Sequence, residues 1–138
     1  VLVEEIHSVV VATVDETGHP HTTVMDMMWE DGKTVYFLTA DFKPLYKRLK
    51  EDGRVAVTGM TQGAGTMDRK SISLTGQVKW IGKEHLEELL KANPYMYEIY
   101  PTEEGRSHLQ VFRFKNAVGN FYDLTQLPPY QARFEIEG

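Results

Sequence analysis

The chain has 138 residues, a net charge of −5 and no cysteine, and 41% of its residues are hydrophobic against 25% charged. This length and composition are typical of one globular domain that closes a hydrophobic core without covalent cross-links. The absence of cysteine excludes disulfides, thiolate metal sites and cysteine nucleophiles.

The charge pattern argues against nucleic-acid and membrane partners. Basic residues concentrate only at Lys47, Arg48 and Lys50, and two acidic residues follow them directly. The longest apolar stretch is residues 8–14, far shorter than the roughly 20 residues that a membrane-spanning helix needs. No signal peptide is recognisable, so we expect a cytoplasmic protein that binds neither nucleic acid nor membrane.

Most of the chain has the alternating pattern of β-strands, with amphipathic stretches between them. The predicted strands are residues 8–14, 21–29, 34–39, 54–61, 71–80, 109–115 and 118–124, with an edge strand near Phe134. The predicted helices are residues 41–50, 84–92 and a short one that starts at Asn93-Pro94, with Pro94 in the first helical position. The pattern therefore predicts a mainly β fold with inserted helices, and closure into a barrel would remove the exposed sheet edges.

Several details of these elements are specific enough to test. Asp41 is expected to cap the first helix and Gly53 to end it as a C-terminal cap. In residues 71–80 the apolar side chains, Trp80 included, are expected to face the core. Residues 109–115 and 118–124 are expected to pair with each other. Residues 62–68 contain two glycines and are expected to form a loop.

No nucleophile motif stands out, and the histidines give a weak metal signal. His19 and His21 lie two residues apart, and on a regular strand they would share a face. Pro20 lies between them and favours a turn, and no carboxylate partner is evident, so we expect no metal site. The glycines of residues 63–66 resemble a phosphate loop but lack its lysine. No catalytic residue can be assigned.

The stronger candidate is the pair formed by Thr39 and Lys43. Thr39 ends a predicted strand, and Lys43 lies in the first turn of the following helix. A hydroxyl, an ammonium and free helix N–H groups could converge there and bind a phosphate monoester. The alternative is that Lys43 points into solvent, and local spacing does not decide between the two.

The order of several short motifs resembles that of the flavin-binding split barrels, which are relatives of pyridoxamine-phosphate oxidase, and especially the small nitroimidazole-resistance-like proteins. The motifs are Gly-His-Pro at residues 18–20, Val-Tyr-Phe-Leu-Thr at 35–39, Lys43, Arg-Val-Ala-Val at 54–57 and Ile-Ser-Leu-Thr-Gly-Gln-Val at 72–78. The resemblance implies a split β-barrel of six or seven mostly antiparallel strands. It also implies that residues 1–138 form one FMN-binding domain that works as a homodimer.

The resemblance also implies which residues bind FMN. The strand after the first hairpin would lie along the flavin ring with His21, Thr22, Thr23, Val24 and Met25. Leu38, Thr39 and Lys43 would take the ribityl phosphate, and Ser71 would make a polar contact with the ring. Trp80 and residues 121–122 could approach the flavin from the partner subunit.

The chain departs from the oxidase pattern where that enzyme binds its substrate. His21 stands where the oxidase has an arginine, and Asp26 stands where it has a substrate-contacting lysine. The basic C-terminal segment of the oxidase is also missing. A carboxylate at position 26 would repel a phosphorylated substrate, so oxidation of a vitamin B6 phosphate is not expected.

Two hypotheses follow for the function. In the first, the chain is an FMN-dependent oxidoreductase that acts on a small, uncharged planar substrate. In the second, it is a non-catalytic module that binds or stores a flavin, a deazaflavin or haem, with His21 as a possible haem ligand. The homodimer is expected for a further reason, namely an apparent excess of large residues over what one small barrel can bury. These residues are Met25, Met27, Met28, Trp29 and Trp80.

Overall fold

A computed structural model describes residues 2–63 and 65–137. The strands are β1 (Ser8–Val14), β2 (Pro20–Asp26), β3 (Trp29–Glu30), β4 (Val35–Ala40), β5 (Arg54–Met60), β6 (Lys70–Gly82), β7 (Leu109–Asp123) and β8 (Tyr130–Glu137). The helices are α1 (Pro44–Glu51), α2 (Leu86–Ala92), α3 (Met96–Ile99) and α4 (Glu103–Arg106), with a π-helical turn at Leu2–Ile6 and a 3-10 turn at Thr66–Asp68. No helix in this part of the chain is long and apolar enough to cross a membrane.

The strands form one sheet in the order β2-β1-β5-β6-β7-β4-β3, and β8 pairs with β7 beside this path. Every pairing is antiparallel. The predicted mainly β split barrel is confirmed, with eight strands in place of the six or seven expected. Because β8 pairs with the second half of β7 and β4 with its first half, the 15-residue β7 supports two different parts of the sheet.

Two hydrophobic clusters pack against the sheet. The first lies inside the curved sheet and includes the stacked rings of Phe37 and Phe112, whose centroids are 5.7 Å apart. The second lies between the sheet and the α2–α3 segment and includes Leu38, Leu89 and Met96. β4 contributes to both clusters, so five of its six residues are buried.

The predicted strand at residues 21–29 is broken in the structure. β2 ends at Asp26, and the backbone N–H groups of Met27 and Met28 donate to the carbonyl oxygens of His7 and Tyr36. The two residues therefore leave the β1–β2 ladder, and the chain resumes as β3. The side chains of Met27 and Met28 are buried, which the alternating pattern alone could not reveal for both.

The prediction that residues 109–115 and 118–124 pair with each other is wrong. They form the single strand β7, which pairs along its length with β6. The polar residues between the two apolar runs mark a bulge, because the register shifts where Gln77 faces Asn116 and Val78 faces Phe114. A bulge bends a strand without ending it, and this bend contributes to the curvature of the sheet.

The expected ends of the first helix are also wrong. Lys43 occupies the N-cap position and α1 begins at Pro44, since proline is favoured at the first helical position. The carboxylate of Asp41 bonds the imidazole of His108 instead, at 2.8 Å. Asp52 caps the C-terminus of α1, and Gly53 has no positive φ.

Two further expectations concern Trp80 and the loop at residues 62–68. Trp80 is 41% exposed, so its predicted place in the core is wrong. Its indole N–H donates to Gln110, and the ammonium of Lys50 lies 4.6 Å from its ring centroid. In the loop, the 3-10 turn lies between less regular segments, and Ala64 is outside the described residues.

Gly76 in β6 lies where β7 passes too close for a side chain. A Cβ atom at this position would lie 2.1 Å from the carbonyl oxygen of Asn116. Gly76→Ala should therefore lower the free energy of unfolding by at least about 1–3 kcal/mol, the usual cost of overpacking. Gly65→Ala is the control, because a Cβ there meets nothing within 4 Å. Urea unfolding measures both variants, and equal stability would contradict the close approach.

Candidate ligand-binding cleft

A cleft of about 200 Å³ opens between β2, the end of β4 and α3. One wall is the last part of β2, from Thr23 to Asp26, and the opposite wall is formed by Leu38, Thr39 and the start of α1. Tyr95 and the α3 residues cover one side. The lining therefore brings together segments that lie up to about half the chain apart in sequence.

The cleft exists because β2 has a strand partner on one side only. β2 pairs with β1 along its whole length, and it stands at the end of the strand order. The edge that faces away from β1 presents backbone N–H and C=O groups with no strand partner in the described residues. This edge borders the cleft and can hydrogen-bond a planar ligand.

One end of the cleft has the character of an anion site. Thr39 is 5% exposed, so its position is fixed by packing, and it lines the cleft together with Lys43. Lys43 is exposed and immediately precedes α1. The start of a helix carries a partial positive charge. Pro44 has no N–H, and the N–H groups of Lys43 and Tyr46 donate to the carbonyl oxygens of Ala40 and Lys43, so α1 contributes mainly this charge. The structure thus places both members of the predicted pair on one cleft.

A hydrogen-bonded carboxylate occupies the β2 wall. Asp26 accepts hydrogen bonds from the hydroxyl of Ser8 at 2.6 Å and from the phenol of Tyr95 at 2.8 Å. The imidazole Nε2 of His7 lies 2.9 Å from the phenol oxygen and 3.4 Å from the carboxylate. Asp26 and Tyr95 both line the cleft, so this wall is polar and negatively charged.

The cleft contains six of the nine residues predicted to bind the cofactor. These are Thr23, Val24, Met25, Leu38, Thr39 and Lys43. Thr22 lies on the same strand but does not line the cleft. His21 lies near the start of β2, outside the cleft, and its Nε2 bonds the carboxylate of Asp15 at 2.8 Å. This hydrogen bond is the main reason why the pKa of Asp15 lies well below its usual value.

Ser71 lies on a different surface, an apolar groove of about 440 Å³ on the outer face of the sheet. Val10, Val24 and Met60 line this groove and are 38%, 70% and 55% exposed. Val10 is paired with Val24 on one side and with Thr58 on the other, so these side chains form a row across neighbouring strands. Val24 belongs to both the groove and the cleft.

Residues 95–100 had no functional role in the sequence prediction, yet four of them line the cleft. They are Tyr95, Met96, Ile99 and Tyr100. The buried side-chain amide of Asn93 holds this segment in place by donating to the carbonyl oxygens of Met28 and Leu89. A cluster of tyrosines in a short helix was the available signal, but it did not indicate which surface the helix covers.

Solved structures with a similar fold cover most of the chain. A NimC/NimA family protein from Clostridium acetobutylicum has a TM-score of 0.78 and 21% identity, over 97% of this chain and 87% of that one. A heme-binding protein from Mycobacterium smegmatis has a TM-score of 0.71 and 13% identity, over 96% and 54%. An F420 reductase has a TM-score of 0.63 and 20% identity, over 82% and 88%.

A search of curated protein sequences found no match. The sequence model of the family described as pyridoxamine 5'-phosphate oxidase matches residues 1–122. This match covers most of the chain and agrees with the split-barrel sheet. The chain belongs to the pyridoxamine 5'-phosphate oxidase family.

Proposed function

We propose that the chain is an FMN-dependent oxidoreductase that acts on a small, uncharged planar molecule. The observation that carries this proposal is one cleft that joins the open edge of β2 to Lys43 at the start of α1. The family match supports a flavin-type cofactor in general. The choice of FMN rests on the residues that line the cleft.

The residues present fit the two ends of FMN. Thr39, Lys43 and the start of α1 supply a hydroxyl, a cation and a partial positive charge for a phosphate monoester. The backbone edge of β2 supplies donors and acceptors for the polar rim of the flavin ring, while Met25 and Leu38 supply apolar contacts. FMN, when bound, carries the electron-transfer chemistry, and the chain binds and orients it.

The charge of Asp26 disfavours a negatively charged substrate. Burial alone would raise the pKa of this carboxyl group, but hydrogen bonds from Ser8 and Tyr95 and the nearby His7 leave the pKa below its usual value. Asp26 is therefore ionised at neutral pH. Repulsion between a carboxylate and a phosphate grows as water is excluded from the cleft, which disfavours phosphorylated substrates.

The second candidate is a module that binds or stores a flavin, a deazaflavin or haem without catalysis. A heme-binding protein and an F420 reductase among the similar folds favour keeping this candidate. His21 is a poor haem ligand in the described conformation, because its Nε2 bonds Asp15 and it lies outside the cleft. A deazaflavin, with the same overall shape as a flavin, is the stronger version of this candidate.

Replacement of Lys43 tests the phosphate site. Lys43→Ala removes a charge-assisted contact worth roughly 1.5–3 kcal/mol, so FMN affinity should fall by about tenfold to a hundredfold. Lys47→Ala is the matched control, because Lys47 lies in α1 but does not line the cleft. Quenching of flavin fluorescence measures both affinities. Equal FMN affinity in the two variants would rule out this phosphate site.

Turnover separates the two candidate functions. The oxidoreductase should show a flavin absorption band that NADH or NADPH bleaches without oxygen and that a neutral quinone or nitro compound restores. Pyridoxamine phosphate should not be oxidised, because Asp26 repels its phosphate. Steady oxidation of pyridoxamine phosphate would contradict the proposed specificity. A bound cofactor that no donor reduces and no acceptor reoxidises would favour the binding module.

We also propose that two copies of the chain assemble through the outer face around Val24. The methionines that first suggested a dimer do not form this face, since Met25, Met27 and Met28 are buried within the chain. The proposed contact between the two chains is instead the apolar groove at Val10, Val24 and Met60. The cleft of one chain, at about 200 Å³, is also smaller than the roughly 300 Å³ at which small-molecule sites usually begin. A second chain beside Val24 would enlarge and cover it.

Disruption of this face should produce a monomer. The unmodified chain should have the mass of a dimer in light scattering at micromolar concentration. Val24→Lys should have the mass of a monomer, because it places a charge on the apolar face. Val118→Lys is the control, since Val118 is an exposed valine on β7 that does not line the groove. A monomeric unmodified chain, with cofactor bound, would refute the assembly.

A further inference from the structure

The carboxylate of Asp26 is held by side chains from two parts of the chain, the consecutive residues His7 and Ser8 and the distant Tyr95. Ser8 begins β1, Tyr95 directly precedes α3, and His7 links the N-terminal π-helical turn to β1. Ser8 donates to Oδ1 and Tyr95 donates to Oδ2, so each carboxylate oxygen has its own donor. The plane of the carboxylate is therefore fixed relative to the cleft.

His7 is held in this cluster at a cost in backbone conformation. Its φ is +61°, in the left-handed region that residues other than glycine rarely adopt. Its carbonyl oxygen accepts from the N–H of Met27 at 2.7 Å, and its Nδ1 lies 3.3 Å from the carbonyl oxygen of Val3. Backbone strain of this kind is concentrated at functional sites in proteins. It persists here because both the backbone and the ring of His7 have partners.

The cluster presents hydrogen-bond acceptors to the cleft. Burial, and then the hydrogen bond to Asp26, raise the pKa of the Tyr95 phenol well above its usual value, so the phenol stays neutral and its proton points to Asp26. An ionised carboxylate has about four lone-pair positions, and Ser8 and Tyr95 occupy one each. Among the described residues, positions on Asp26 remain free to accept a further hydrogen bond, and its side chain is 28% exposed.

The other charged or titratable groups that line the cleft are few among the described residues. Lys43 belongs to the wall formed by β4 and α1, and Tyr100 follows α3. Asp26 is the one carboxylate in this lining. A ligand that reaches the β2 wall therefore meets a fixed negative group with unsatisfied acceptor positions, and an N–H donor satisfies them best.

We propose that Asp26 selects the small molecule that enters the cleft beside the cofactor, and that this molecule is planar and presents N–H groups. The uncharged substrate of the proposed function is the neutral member of this class, an amide or a nitrogen heterocycle, and a cation with N–H groups, such as an amidine, binds the same carboxylate as a competitor. Ser8, Tyr95 and His7 are positioning residues that orient the carboxylate. This role rests on the proposed function in so far as the cleft is a ligand site. The competing interpretation is that the cluster only ties the segment before α3 to β2, which predicts no ligand selectivity.

Three ligands of nearly the same shape test the proposal: benzamidine, which is a cation with N–H donors, neutral benzamide, and the benzoate anion. Titration calorimetry in phosphate buffer, in which inorganic phosphate competes for Lys43, measures their affinities for the purified full chain. Benzamidine should bind at least about tenfold more tightly than benzoate, as expected for one charge-assisted hydrogen bond. Benzamide should bind with intermediate affinity.

Two variants with the same change in net charge test whether the preference for benzamidine depends on Asp26. Asp26→Asn keeps the size of the side chain but removes its charge, and should reduce the preference for benzamidine to within about twofold. Asp41→Asn should retain the preference, because Asp41 pairs with His108 and does not line the cleft. Tyr95→Phe removes the hydrogen bond that orients Oδ2 of Asp26, and the loss of orientation should reduce the preference without abolishing it.

Equal or tighter binding of benzoate by the unmodified chain would overturn the proposal, as would the same preference in Asp26→Asn and Asp41→Asn, or binding of none of the three ligands.

If Asp26→Asn does not fold, carboxyl ¹³C NMR of the unmodified chain replaces it. The Asp26 signal must then shift with benzamidine and not with benzoate. FMN affinity is measured separately. Loss of FMN binding alone contradicts the proposed function, whereas loss of the benzamidine preference alone contradicts this role of Asp26.

Discussion

The two edge strands of the sheet, β2 and β3, are joined by a short chain segment and not by a hydrogen-bonded ladder. The position of the cleft depends on this connection. β2 and β3 stand at opposite ends of the strand order, yet only Met27 and Met28 separate them in sequence. Each of these residues donates its N–H to a different neighbour, one to His7 and one to Tyr36. β2 and β4 do not pair with each other within the described residues, and the cleft lies between them.

The sequence predicted the fold where side-chain alternation and strand pairing agree. Ile72, Leu74 and Val78 are buried in β6 as their period indicated. The pattern failed at Lys115, where a bulge and a turn look alike because both place polar residues between apolar runs. It also failed at Trp80, because a large aromatic side chain can pack beside Lys50 at the rim of the barrel as well as inside it.

In the candidate site, too, the residues close in sequence could be predicted and the contacts between distant residues could not. Thr39 and Lys43 were found because they are four residues apart and flank a strand end and a helix start. Asp26 was noticed as a departure from the oxidase pattern, but its partners were not. The contact between Asp26 and Tyr95 spans 69 positions, and that between His7 and Tyr95 spans 88. No spacing rule reaches that far, since such contacts depend on how the whole sheet curves.

Val24 belongs to the cleft on one side and to the outer apolar face on the other. Any molecule bound in the cleft and any chain docked on the face therefore touch the same residue. If ligand contacts favour the associated form, mass action couples the two equilibria, and the coupling free energy is the same in both directions. The apparent affinity for the ligand would then rise with protein concentration. A dilute cell extract and a concentrated sample would report different dissociation constants for the same chain.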